Sequence, residues 1–360
     1  MVVQKKSEVV TVFDEKIDPK RRRSITTVKP KVLDLKPDEE SSKFPTPLRI
    51  RTHTREDISP QELEEIEALK REGFTPLHIF QGEKFGPGLR EKLQRQTSNE
   101  LFWTARHLGL SDKRAKEFVG KILTNMKYAP NIKTVETRNY DVISEFGMED
   151  ALNEGLKGRS DLIISQITPF LGQEKEKVGI QRKLRALDAG CGDGEVGLGI
   201  QKMGGFQVDL CDVRDYRTKE VKDADLPFQK TKEGERIPYQ DGEFDIVNGM
   251  LVLHHSQDPD FLLNEWTRVL KPGGFLILNE SVLKTLESFP VQAFQDWFYN
   301  RCFHDPKKAN VPVPFNFRPA SKWMEDLKNR GLELVADTDL GKDMDIVQEQ
   351  HHQLIFRKAA

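Results

Sequence analysis

The sequence predicts an α/β fold, a doubly wound parallel sheet preceded by a helical N-terminal region, and three observations carry that reading. From Leu184 onward, short apolar runs of strand length alternate with segments of helical spacing, as in a parallel sheet with helices on both faces. A glycine-rich turn, Gly190-Cys191-Gly192-Asp193-Gly194, leaves the first of those runs. Before residue 148, apolar residues recur at helical rather than alternating spacing. The 360 residues suit one large domain with a smaller companion.

Taken in order, residues 1–56 hold few large apolar side chains, five prolines and the basic run Lys20-Arg21-Arg22-Arg23. Such a segment buries too little surface to offset its ordering entropy and is expected to be mostly disordered. Residues 57–147 are expected to form a basic helical accessory region. Ser59, Pro60 and Glu62 make an N-cap, a first-turn proline and a capping box, and Leu63, Ile66 and Leu69 follow at helical spacing until Gly73. A second helix is expected over Gly88–Leu108, with Leu89, Leu93, Leu101, Phe102 and Ala105 inward. Ser111 caps a third, with Phe118, Ile122 and Met126 on one face. This region has too few apolar residues to stand alone and is expected to dock on the domain C-terminal to it.

The sheet-bearing domain is expected over 148–360. It opens with a helix at about Met148–Phe170, amphipathic through Leu152, Leu156, Leu162, Ile163, Ile167 and Phe170. Strands come next at Leu184–Asp188, Phe206–Cys211, Phe244–Met250, Phe275–Asn279, Leu332–Asp337 and His352–Arg357. The helix Phe261–Leu270 ends at Lys271-Pro272-Gly273-Gly274.

Composition excludes several classes. Formal charge is −2, so the whole molecule is not a polyanion binder. Charge is uneven, however: the first 135 residues carry about +7 and the remainder about −9. No apolar run approaches the ~18–20 residues of a membrane helix, and no secretory leader is expected from the polar first residues. Three cysteines, Cys191, Cys211 and Cys302, build no disulfide framework or CxxC zinc pair. A soluble, reduced, cytoplasmic protein is expected.

The site-bearing residues cluster at strand ends. Glycines in the 190–194 turn let backbone N–H groups approach a ligand where a Cβ would collide. The strand before them ends in Asp188, a carboxylate suited to an ammonium or sulfonium and poorly suited to a pyrophosphate. About 20 residues on, Asp212 stands at the tip of the second strand, where an acid can accept both ribose hydroxyls of an adenosine ligand, with Asp215 as the second choice.

These stretches resemble the class I S-adenosylmethionine-dependent methyltransferases, in particular the small-molecule, methyltransferase-11-like type. The resemblance covers about residues 184–357 through LDAGCGDG (187–194), IPYQDGEFDIV (237–247), LVLHHSQDPDFLLNEWTRVLKPGG (251–274) and FNFRPASKWMEDLKNRGLELV (315–335). It does not extend to residues 1–140. It implies a Rossmann-like seven-stranded sheet with an antiparallel last strand and S-adenosylmethionine as cofactor. Carried onto this sequence, Gly190, Cys191, Gly192 and Gly194 wrap the methionine end, Asp188 lies near its amino group and Asp212 holds the ribose. Glu233 lies beside the adenine, where many relatives have an aspartate. Asn248, Gly249 and Met250 border the sulfonium.

His255 is the first catalytic candidate, since histidine titrates near neutrality, with His254 behind it. Glu280, just past the strand Phe275–Asn279, is the second, as a polar pocket residue. Adjacent histidines at a strand end are expected to point apart, and no third ligand stands at useful spacing, so no metal site is expected. The aromatic helix around Phe294, Trp297, Phe298 and Tyr299 is read either as a substrate wall or as packing. His304 and His351 carry no assignment. The leading functional expectation is methyl transfer by in-line displacement to a small-molecule or lipid-like acceptor. An RNA methyltransferase docking through residues 1–135 is the second reading. A non-catalytic scaffold that keeps the fold is the third. Oligomeric state is not legible.

Overall fold

The computed structural model describes residues 58–179, 182–304, 311–342 and 350–359. The expected disordered tail and its basic cluster lie outside the described residues. The described residues fall in one compact unit.

A seven-stranded sheet forms the centre, in the order β3-β2-β1-β4-β5-β7-β6. Its strands are β1 Leu184–Ala189, β2 Phe206–Asp212, β3 Phe228–Lys230, β4 Phe244–Met250, β5 Leu270–Val282, β6 Leu332–Lys342 and β7 Gln350–Lys358. Strands β1 to β5 run parallel, and β7 is antiparallel to both β5 and β6. This is the expected Rossmann-like sheet with an antiparallel last strand. The central strands are apolar along both faces, as strands covered on both sides must be. Ala186, Val208, Ile246 and Ile277 pack on one face, while Leu187, Val247, Leu276 and Leu278 pack on the other. Asp245 breaks the apolar run of β4 because it is an anchor: Arg182 grips both its oxygens at 2.7 Å and the Arg185 N–H donates at 2.9 Å.

The helices are α1 Pro60–Arg71, α2 Pro87–His107, α3 Asp112–Tyr128, α4 Ile132–Phe146, α5 Glu149–Val178, α6 Glu195–Lys202, α7 Lys219–Asp223, α8 Pro259–Val269, α9 Phe289–Trp297 and α10 Ala320–Lys328. The expected capping box at Ser59 and Glu62 is formed, and Ser111 caps α3. Helix α4 was not anticipated. Its signals are local: the Asn131 side chain accepts from the Thr134 N–H at 2.9 Å, and Gly147 ends the helix at φ +68°. Helix α5 runs past the expected Phe170. Leu89 and Leu162, expected inward, are 37% and 48% exposed. Leu89 sits in the first turn of α2, ahead of the buried stripe that starts at Leu93. Leu162 flanks the seam made by Ile163, Ile167 and Leu171. The side chains of Leu152 and Leu156 lie outside the described residues. No described helix is long and apolar enough to cross a membrane.

Apolar side chains of α1–α4 share one core with the segment after β5, from Leu283 to Phe317. Helix α9 and the π-helical turn Phe298–Cys302 that extends it are the hub of that core. A buried acid locks the two parts together: Glu136 of α4 accepts from Trp297 Nε1 at 3.0 Å and from Arg301 Nε at 3.0 Å. Glu136→Ala should leave both donors without this acceptor and cost about 3 kcal/mol, the scale for breaking a buried pair. Urea denaturation reads the loss, and limited proteolysis should show faster cutting in α1–α4.

Candidate functional site

The strand order reverses direction between β1 and β4, and open α/β sheets bind ligands in the crevice beyond the strand ends at such a point. A cavity of about 850 Å³ opens there, within the ~300–1,000 Å³ of small-molecule and cofactor sites. Asp188, Gly190, Cys191, Gly192, Asp212, Glu233 and His255 all line it.

The floor is the turn from β1 into α6. Gly190 holds φ +75°, and a Cβ there would meet Val252 Cγ1 at 2.5 Å, so only glycine lets the turn press against the loop after β4. Around Gly192 a Cβ would meet nothing within 4 Å, because that position faces open space. Its N–H donates to Asp212 Oδ2 at 2.9 Å, and the Arg214 N–H donates to Oδ1 at 3.2 Å. Asp188 is fully enclosed: Oδ2 accepts from the Gly197 N–H at 2.9 Å and Oδ1 from Asn248 Nδ2 at 2.6 Å. Glu233 accepts from Ser256 Oγ at 2.7 Å and the Gln257 N–H at 2.8 Å, tying its loop to the segment after β4.

Seven carboxyl groups line the cavity against three cations, Arg159, Lys219 and Lys232. Burial is the largest influence on the inner acids. It pushes Asp188 up to about 7, against the lowering effect of the Gly197 N–H, and shifts Asp193 and Asp212 upward from the ordinary carboxylate value. Burial also raises the Cys191 thiol, and it pushes Cys211 up to about 12. Both thiols are therefore protonated near neutrality and unsuited to nucleophilic attack.

The roof is the loop after β4. Leu251 holds φ +60°, a costly conformation for a branched side chain. Its N–H donates to the Asn279 carbonyl at 2.7 Å, and Glu280 Oε1 accepts from the N–H groups of Val252 at 2.8 Å and Leu253 at 2.6 Å. Glu280 Oε2 pairs with His254 Nδ1 at 2.7 Å. The His255 ring is 22% exposed and lines the cavity. Its Nδ1 donates to the Pro312 carbonyl at 3.0 Å. Burial first, and the neighbouring His254 second, hold its pKa well below the usual histidine value.

Four expected site residues stand behind the wall. Glu280 does not face the cavity; it is 1% exposed and clamps the roof loop. Asn248 is buried against Asp188. Gly249 lies on the opposite face of β4, where a Cβ would run into the Trp266 ring. Gly194 starts α6, with Val221 where its Cβ would go. Strand phase decides Gly249: Asp188 and Asn248 are register partners, so residue 249 must point away. The expectation that His254 and His255 diverge also fails. Residues 253–255 form a 3-10 turn, and the rings lie 4.2 Å apart with Asp296 of α9 beside them.

Sequence reasoning missed Arg159 and Ser160 of α5, and Asn300 and His304 beyond α9, all on the cavity wall. Nothing in their spacing marks them. Asp296 did carry a signal, a lone acid in the apolar run Phe289–Phe298.

Residues 187–278, from the end of β1 into β5, match the family model of a methyltransferase domain, Methyltransf_11. Within that stretch the chain is similar to class I S-adenosylmethionine-dependent methyltransferases. It is 28% identical over 121 residues to demethylmenaquinone methyltransferase of Staphylococcus aureus strain MRSA252, covering 31% of this chain and 49% of that protein. It is 30% identical over 106 residues to 27-O-demethylrifamycin SV methyltransferase of Amycolatopsis mediterranei strain S699, covering 28% of this chain and 39% of that one. The chain thus spans half or less of these relatives. A solved putative methyltransferase from Bacillus halodurans C-125 aligns over 53% of this chain and 99% of its own, at 16% identity and TM-score 0.38.

The enclosed acid of the cavity gives a pH signature. Asp188 holds its proton up to about pH 7 when folded, against an ordinary value of 3.8. The folded state therefore binds the extra proton between about pH 4 and pH 7, so ligand-free stability falls as pH rises through that window and levels off above it. Asp188→Asn should flatten that fall in part, since Asp193 and Asp212 contribute with the same sign. Asn248 Oδ1, without a hydrogen-bond partner among the described residues, can flip to accept from the introduced amide. The variant should be more stable than the parent at pH 8, by up to ~4 kcal/mol, and no more stable at pH 4. Urea midpoints at the two pH values check this.

Proposed function

We propose that this protein transfers a methyl group from S-adenosylmethionine to a small-molecule or lipid-like acceptor. One observation carries the reading: a cavity of about 850 Å³ at the sheet's switch point, lined by a glycine turn and a strand-tip carboxylate. The donor set fits the cofactor. The open position at Gly192 leaves room for close approach, Asp212 can accept from ribose hydroxyls, and the carboxylate-lined wall suits an ammonium and a sulfonium. Glu233 and Ile237, further along the same wall, would border the adenine.

When bound, the cofactor supplies an electrophilic methyl carbon with its own leaving group. The chain's residues have the remaining tasks. Asp188 fixes the floor by holding α6 and β4 in place. Leu251, Val252 and Trp266 give the cavity an apolar middle that excludes water. His255, Asn300 and His304 present polar atoms to the acceptor end. Alignment of two reactants in such a cavity can contribute roughly 7–11 kcal/mol.

The acceptor class is supported by the relatives, named for demethylmenaquinone and 27-O-demethylrifamycin SV, both small organic molecules. An RNA acceptor has no comparable support. The apolar faces of α1–α4 are packed on the segment after β5, residues 1–57 lie outside the described part, and the acid-rich cavity wall repels phosphate.

Calorimetry with S-adenosylhomocysteine tests the reading. Asp212→Ala should weaken binding about 10–100-fold, the scale of hydrogen bonds to a charged group. Absence of binding at millimolar concentration would leave a scaffold. Label from methyl-labelled cofactor should then enter the small-molecule fraction of an extract; label in RNA would favour the other acceptor.

A further inference from the structure

Where His255 meets the cavity, we propose that His254, His255 and Asp296 form a binding site for a divalent first-row transition metal ion of the zinc type. Three observations meet there. The 3-10 turn Leu253–His255 sets the two imidazoles side by side, with ring centres 4.2 Å apart. Asp296, from the buried face of α9, brings Oδ1 to 4.0 Å from His254 Nε2 and 3.6 Å from His255 Nε2. The three ligand atoms all lie within 4.8 Å of one another.

The outer partners give the cluster its direction. A carbonyl oxygen only accepts, so His255 Nδ1 carries the hydrogen it shares with Pro312 at 3.0 Å, and the neutral ring's lone pair is on Nε2. His254 Nδ1 faces a Glu280 carboxylate oxygen at 2.7 Å, which turns its Nε2 inward in the same way. A carboxylate or a backbone carbonyl on the far ring nitrogen is the arrangement that orients metal-binding histidines, and this pair shows one of each. Asn300 steadies Asp296 by donating Nδ2 to Oδ1 at 2.9 Å.

The donors choose the ion. Two imidazole nitrogens and one carboxylate oxygen suit zinc, iron(II) or cobalt(II), whereas magnesium and calcium want oxygen ligands. Tetrahedral zinc ligands sit about 3.3 Å apart, so the His255–Asp296 pair closes by a few tenths of an ångström and the others by more. Three protein ligands leave a coordination position open, and His255 is the member that lines the cavity. Under the methyl-transfer reading, on which this clause rests, that position would take an oxygen of the acceptor, which makes the acceptor a hydroxyl- or carboxylate-bearing molecule.

Full-length protein stripped with a chelator and titrated with Zn²⁺ against a chelating dye tests the site without cofactor. One equivalent should bind, and Co²⁺ should give visible absorption at the same stoichiometry. His255→Gln and Asp296→Asn should each weaken Zn²⁺ at least 100-fold, with circular dichroism reporting the fold. His107→Ala, at an exposed histidine on α2, should change nothing. If Asp296→Asn fails to fold, His255→Gln decides alone. Binding that is absent, unaffected by His255→Gln, or lost with His107→Ala overturns the site. S-adenosylhomocysteine affinity is measured separately, so loss of the methyl-transfer reading would leave the metal result standing.

Discussion

The buried carboxylate of Asp188 is the constraint on which the cavity depends. It closes β1, receives the first turn of α6 through the Gly197 N–H, and receives β4 through Asn248. Three elements that share no local sequence therefore meet on two oxygens. Gly197 can come this close because it has no side chain; a Cβ there would stand 2.9 Å from Asp188 Oδ2. Across the crevice Asp212 repeats the device, taking the Gly192 N–H at the tip of β2. The floor is thus a set of backbone amides held by acids that burial disfavours as anions. A cationic ligand arriving there would meet groups whose ionisation it favours.

The opposite wall is built by a different force. Helices α1–α4 and the segment from Leu283 to Phe317 share one apolar core, in which Phe74 packs on Phe289 at 5.3 Å and Phe294 stacks on Phe298 at 5.5 Å. The shared core holds α9 in place, and α9 carries Asp296 while the turn after it carries Asn300. Packing outside the cavity therefore sets the position of Asp296 and of Asn300 on the cavity wall.

Legibility in the sequence followed the range of each interaction. The glycine turn, the capping box at Ser59 and the apolar runs of β1, β2 and β4 are short-range signals, and the structure keeps them. The strand-tip acid Asp212 was readable because its place depends only on where β2 ends. Asn248, Gly249 and Glu280 were harder, since facing depends on strand phase against neighbours that a linear reading does not supply. Gly249 is required by the Trp266 ring behind it rather than by a ligand in front. Helix α4 was legible and was overlooked, since Val135, Val142, Ile143 and Phe146 recur at helical spacing between the Asn131 cap and Gly147, whereas β3 is only three residues long and leaves no periodicity. The His–His–Asp cluster was invisible because its third member arrives on another element, through the shared core.

The loop from Leu251 to His255 shows how these constraints combine. A branched residue at φ +60° raises the energy of the native state, and nothing local compensates for it. The compensation comes from β5, whose Asn279 carbonyl and Glu280 carboxylate take three successive N–H groups of the loop. The same Glu280 oxygen pair then reaches His254, so the acid that holds the backbone also fixes a ring. That double use explains why a fully buried glutamate can be tolerated with no guanidinium partner among the described residues: every oxygen is engaged by a donor. It also lets Glu280 set the course of the loop and the orientation of His254 while standing outside the cavity itself.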